Sequence, residues 1–229
     1  MEKKYKLYSF LLWLFFLTPI SLIALIFYYA SIGGFGDMPD LEVLENPKTN
    51  LASEVISSDG KTLGKYYFND NRTPVTFDEL PKHLVDALIA TEDIRFYSHS
   101  GIDFKRTFGA ALKLGKDGGG STITQQLAKL LFTGEGSRDI LERLTQKFKE
   151  YIIAVRLERH YTKDEIITQY LNLYDFGNNG DGIRSAARIY FGKEPIDLDI
   201  NESAILVGML KNSSSVSYTH LTLPTTLQV

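Results

Sequence analysis

The sequence has 229 residues, 44% hydrophobic and 23% charged, enough to bury one ordinary domain core and an appendage. A formal charge of -3 gives no global attraction to nucleic acid, so no nucleic-acid partner is expected and affinity for anions must come from local Lys and Arg clusters. There is no cysteine, which excludes thiol catalysis, a Cys-ligated zinc and a disulfide framework.

Residues 1–6 carry Lys3, Lys4 and Lys6, and Leu7 to Ala30 follow without one charged side chain. At about 1.5 Å rise per residue this run crosses a hydrocarbon core of about 30 Å, so it reads as a transmembrane anchor. Trp13, Tyr8, Tyr28 and Tyr29 suit the membrane interfaces, and the basic flank places the N-terminus in the cytoplasm. A cleaved signal peptide would have a shorter apolar core, about 7–15 residues. Everything beyond Ser31 is then expected outside the cytoplasmic membrane, beginning with a glycine- and proline-bearing linker over residues 31–52.

Alternation from Glu54 to Phe68 around Asp59-Gly60 predicts a β-hairpin. Ser58 to Lys61 spells S-x-x-K, but acylation chemistry needs that Ser and Lys one helical turn apart, which a hairpin tip does not provide. From Asp78 as N-cap, with Pro81 in the first turn, Leu84, Val85, Leu88 and Ile89 recur at helical spacing up to Thr91. Glu92 and Asp93 therefore fall at a helix C-terminus, where a negative charge opposes the macrodipole. The same field favours proton uptake, which suits a general base. Helix-terminal Glu-Asp pairs are also common on solvated surfaces, so the local physics leaves both readings open.

Phe104 to Leu114 mixes apolar residues with Lys105, Arg106 and Lys113, as a core helix or a helix on the membrane surface would. Gly118 to Lys129 is a glycine loop feeding a helix, with Thr122 and Gln125 at capping-box spacing; unpaired N–H groups there suit an anion, and an ordinary linker with an N-cap suits the residues as well. A Walker A loop is excluded, since no Gly-Lys-Ser/Thr follows. Leu141 to Tyr161 predicts a long helix burying Leu141, Leu144, Phe148, Ile152 and Val155, with Arg143, Gln146, Lys147 and Glu150 three or four apart on another side. Another helix starts at Thr162, capped with Glu165, and ends near Asn172 to Gly177; Ile183 to Phe191 and Glu202 to Leu210 complete a helical domain. Residues 216–229 break the pattern, and Ser217 to Thr226 resembles translated sequencing-adaptor sequence, so a non-native tail and truncation near Ser215 are expected.

Five stretches together resemble the glycosyltransferase domain of class A penicillin-binding proteins, the peptidoglycan polymerases of family 51. They are Glu92 to Gly101, Gly119 to Gln126, Gln146 to Glu150 running on to Glu158, Lys163 to Gly177 around Tyr170-Leu-Asn172, and Glu202 to Asn212, in family order. The resemblance covers about residues 53 to 213 and implies a mainly α, lysozyme-like two-lobed glycosyltransferase domain at 53–215, with a small β-hairpin, behind one transmembrane helix. It implies an inverting hexosyltransferase of cell-wall biogenesis that polymerises lipid II into β-1,4 glycan with release of polyprenyl pyrophosphate. Glu92 would be the catalytic base and Glu150 the second essential glutamate. Ser121, Thr122, Gln125, Gln126, Lys129, Arg143, Lys147 and Lys149 would bind substrate. Asp93, Phe96, His99, Gly101, Asp103, Tyr170 and Asn172 would hold the site in shape. An acid beside a pyrophosphate is repulsive unless bases or a divalent cation, Mg2+ or Mn2+, mediate, so Glu150 is also the one candidate metal contact; no organic cofactor is expected. Implied partners are lipid II, the growing glycan strand, the cytoplasmic membrane and cell-wall synthesis or division proteins.

The sequence departs from the family at Gln146, where Arg is usual, at Leu130, where Asn is usual, and at Gly109, often Arg. These departures touch single phosphate contacts. The family continues with Pro and Tyr near Ser213 and then a transpeptidase domain, neither of which stands here. Two alternatives remain open to test: a lysozyme-like lytic enzyme, which also uses one glutamate, and a non-catalytic membrane-anchored wall-binding scaffold.

Overall fold

The computed structural model describes residues 2–34, 36, 53–60, 62–66, 72–112, 120–134, 136 and 139–211. Most of the expected linker, Lys61, Lys113, Gly118, Gly119 and the expected non-native tail lie outside them. Helix α1 (Glu2–Ser31) contains the single described helix long and apolar enough to cross a membrane, Lys4–Tyr29, with mean hydropathy 2.5. Its aromatic and aliphatic side chains are exposed, as a lipid-facing helix requires. Strands β1 (Ser53–Ile56) and β2 (Thr62–Tyr66) pair antiparallel as the sequence predicts. The Gly60 N–H closes their turn on the Ser57 carbonyl at 2.9 Å, and Gly60 has φ +80°.

The remaining helices are α2 (Lys82–Glu92), α3 (Phe104–Leu112), α4 (Ile123–Ala128), α5 (Ile140–His160), α6 (Lys163–Leu173), α7 (Gly182–Phe191) and α8 (Ile200–Lys211). Helix α2 starts later than expected. Asp78 lies in a separate 3-10 turn, Phe77–Glu79, that Thr76 and Glu79 close with a capping box, and Pro81 is the N-cap of α2 rather than a first-turn residue. The predicted apolar face holds: Leu84, Val85 and Leu88 are buried, with Ile89 packed at the core's edge.

One core joins α2, α4, α6, α7 and α8 to the C-terminal half of α5, through Leu88, Phe96, Leu127, Leu157, Tyr170 and Leu206. Helix α5 enters it by a different face from the one predicted. Ile153, Ala154 and Leu157 are buried, whereas Leu141 and Leu144 are exposed. The apolar stripe expected inside instead turns outward and toward α1. Phe148 meets Phe27 edge-on at 5.4 Å, and Tyr151 stacks on Phe27 at 6.2 Å. The physical reason is that α5 has two apolar faces: at the one with the small Ala154 the backbone of Gly101 approaches closely, and the other packs on α1.

Candidate active site

Helix α2 ends at Glu92, and Asp93 is its C-cap. The chain then turns through Phe96–Ser98 to Gly101, which has φ +89°. A Cβ at Gly101 would lie 2.8 Å from the Ala154 carbonyl carbon and oxygen, so only glycine lets the loop rest on α5. The Gly101 carbonyl accepts from Thr122 Oγ1 at 2.7 Å and from Gln125 Nε2 at 3.2 Å. One backbone oxygen thus ties the Glu92 loop to the start of α4.

The start of α4 differs from an anion cradle. Thr122 and Gln125 do form the expected capping box. The Ile123 N–H, however, donates to Asp93 Oδ2 at 3.2 Å, and Thr122 and Gln125 are fully buried. The protein's own carboxylate thus takes the Ile123 N–H, and the Thr122 hydroxyl takes the Gln125 N–H at 3.2 Å. Thr122 and Gln125 therefore hold the loop and do not line the cleft. Asp93 also pairs with His99 Nε2 at 3.0 Å, so its role as support for the loop follows from two contacts. Asp103 receives the Arg95 guanidinium at 2.6 Å and the Arg106 N–H at 3.0 Å. Burial alone would raise the Asp103 carboxyl, but these two donors outweigh it and hold it below the usual range.

A second brace was not legible in the sequence. Glu158 on α5 accepts from Thr124 Oγ1 at 2.5 Å and from Lys163 Nζ at 2.8 Å. Lys163 also donates to the His99 carbonyl at 2.7 Å and sits 4.2 Å from the centre of the buried Phe96 ring. Helices α4, α5 and α6 and the Glu92 loop meet at this cation. Asn172 exchanges two hydrogen bonds of 2.9 Å with the backbone of buried Val75, pinning the segment that leads into α2.

These braces frame an open cleft of about 820 Å3. Glu92 and Gln126 line one side; Arg143, Gln146, Lys147 and Glu150 line another, so the polar ridge predicted on α5 faces the cleft as a unit. Ser121, Lys129 and Tyr170 line it too, together with Arg106, Tyr174 and Leu210, which the sequence reading had not assigned to the site. Lys149 does not; it points from another face of α5, and its ammonium lies against Gly36. Glu150 is only 6% exposed and accepts from Lys147 Nζ at 2.6 Å, and the same ammonium donates to Ser121 Oγ at 2.7 Å. Thr133 Oγ1 is 3.5 Å from the other Glu150 oxygen. Among the described residues no group of three or more His, Cys, Asp or Glu side chains converges as a metal cage.

The cleft brings the Glu92 and Glu150 carboxylates together with Arg106, Lys129, Arg143 and Lys147, cations able to hold an anionic group. The family model described as Transglycosylase matches residues 59–226, and the chain belongs to that family. It is 41% identical over 172 residues to penicillin-binding protein 1F of Bacillus subtilis (strain 168), covering 73% of this chain and 23% of that protein. With penicillin-binding protein 1A of Escherichia coli (strain K12) the identity is 39% over 183 residues, or 78% of this chain and 21% of the relative. With penicillin-binding protein 1A of Vibrio cholerae it is 36% over 210 residues, 88% and 25%. The chain thus spans a quarter or less of the length of these curated relatives.

Proposed function

We propose that this chain is a peptidoglycan glycosyltransferase that extends glycan strands from a lipid-linked disaccharide. The observation that carries the reading is the placement of Glu92 and the Arg143–Lys147–Glu150 ridge on one cleft. Glu92 takes the proton of the acceptor's 4-hydroxyl as that oxygen attacks C1 of the donor sugar. The C1–O bond to the pyrophosphate breaks, and its electron pair leaves with the diphosphate, giving a β-1,4 bond with inversion. Charge grows on the departing pyrophosphate, and Lys129, Arg143, Lys147 and Arg106 are the cleft's cations for it. Glu150 fixes the Lys147 ammonium at the wall, a positioning role through the ion pair.

Substrate delivery fits the same arrangement. Helix α1, read as a single-pass anchor with its N-terminus inside, packs on α5 and would keep the cleft beside the outer leaflet, where a polyprenyl-linked substrate resides. Cell-wall synthesis or division proteins are proposed partners because the chain belongs to the Transglycosylase family. Incubating the chain in detergent micelles with labelled lipid II tests the reading. A ladder of longer glycans is expected. Shortening of finished peptidoglycan without a ladder would replace it with a lytic enzyme, and binding without either product would leave a wall-binding scaffold.

A further inference from the structure

Three side chains run from the cleft into the core as a chain of hydrogen bonds. Gln126 Nε2 donates to Glu92 Oε2 at 2.8 Å, and the Tyr170 hydroxyl donates to Gln126 Oε1 at 2.8 Å. A side-chain amide has one donor end and one acceptor end, so whatever fixes one end decides what the other offers. Tyr170 is wholly buried in the core cluster and its ring packs at 5.9 Å from Tyr174, so the hydroxyl has little freedom to choose another partner. Burial, then the nearby Glu92 charge and Tyr174, raise the phenol above its ordinary range, so it keeps its proton.

Other groups around Glu92 do not duplicate this contact. Arg106 on α3 donates to the Glu92 backbone carbonyl. Lys129 beyond α4, Arg143, Lys147 and Glu150 on α5, and Tyr174 after α6 line the same cleft. Among these, Lys147 and Glu150 are engaged with each other.

We propose that Tyr170 and Gln126 are positioning residues for Glu92, the phenol setting which end of the amide meets the carboxylate. The amide N–H holds one Glu92 carboxylate oxygen in place at the cleft. The pair thus orients the base, and the proposal rests on the reading of Glu92 as that base.

The test uses the full chain in detergent micelles and the steady-state kinetics of lipid II polymerisation. Tyr170→Phe, which keeps the ring, and Gln126→Leu are each expected to lower kcat roughly tenfold while KM stays within about twofold. Because the phenol acts through the amide, adding Tyr170→Phe to Gln126→Leu should cost no more than about twofold further, whereas two independent structural losses would multiply. If Tyr170→Phe loses its helical circular dichroism, the kcat-against-KM split of Gln126→Leu decides alone. A kcat within about twofold of the wild type in the folded variants, or a fully multiplicative loss in the double variant, overturns the proposal while the wild type still polymerises. A wild type that makes no glycan rejects the polymerase reading, and the positioning role with it.

Discussion

Gly101→Ala is the substitution whose cost follows most directly from the structure. Gly101 has φ +89°, and an alanine there would carry about 1–2 kcal/mol of backbone strain. Its Cβ would also stand 2.8 Å from the Ala154 carbonyl carbon and oxygen and 3.0 Å from the Val155 nitrogen. These are backbone atoms of α5, which no rotamer change can remove, so overpacking adds about 1–3 kcal/mol. Together about 2–5 kcal/mol is lost, which for a chain of this size lowers Tm by roughly 5–15 °C. The displacement also pulls the Gly101 carbonyl from Thr122 and Gln125, so the Glu92 loop loses its tie to α4. Thermal unfolding followed by circular dichroism, with Gly208→Ala as control, is the assay. Gly208 has open space and lies within α8, where alanine is neutral or stabilising by up to about 1 kcal/mol. A Gly101→Ala protein melting with the wild type would refute the close contact between loop and helix.

Lys147→Met leaves the nearly buried Glu150 with only the distant Thr133 hydroxyl, and a loss of about 1–3 kcal/mol in urea unfolding is expected. Adding Glu150→Gln to it should recover part of that loss; strict additivity in the double-mutant cycle would contradict the pairing. Asn172→Ala strips both partners from the backbone of buried Val75, and a loss of about 2–3 kcal/mol is expected in the same assay. Asp103 titrates below its unfolded value, so its contribution to stability is complete above about pH 4 and fades as pH falls further. Asp103→Asn should therefore be less stable near neutrality and lose less than the wild type on acidification, as measured by Tm against pH.

Features encoded by neighbours in sequence were legible. The Asp59-Gly60 turn needs only local backbone freedom, and the Thr122–Gln125 and Thr162–Glu165 capping boxes need only a spacing of three. The ridge on α5 was legible for the same reason, since helical period alone puts Arg143, Lys147 and Glu150 on one side. Which apolar face of α5 enters the core was not, because the choice depends on how close α4 and α1 approach from opposite sides. Likewise the start of α4 looked ready for an outside anion until Asp93, thirty residues earlier, was seen to occupy it. The departure at Gln146 still places that side chain on the cleft, beside Arg143 and Lys147. Tyr170 reads as a core aromatic by pattern; its hydroxyl's link to Gln126 spans 44 residues and exists only in the folded chain.

The central claim is that Glu92 is the base of glycosyl transfer, and Glu92→Gln tests it with little change in size. The variant should bind lipid II within a few-fold of the wild type yet form no glycan ladder, a loss of at least about 100-fold, as expected when a general base is removed. A ladder formed at close to the wild-type rate would contradict the account.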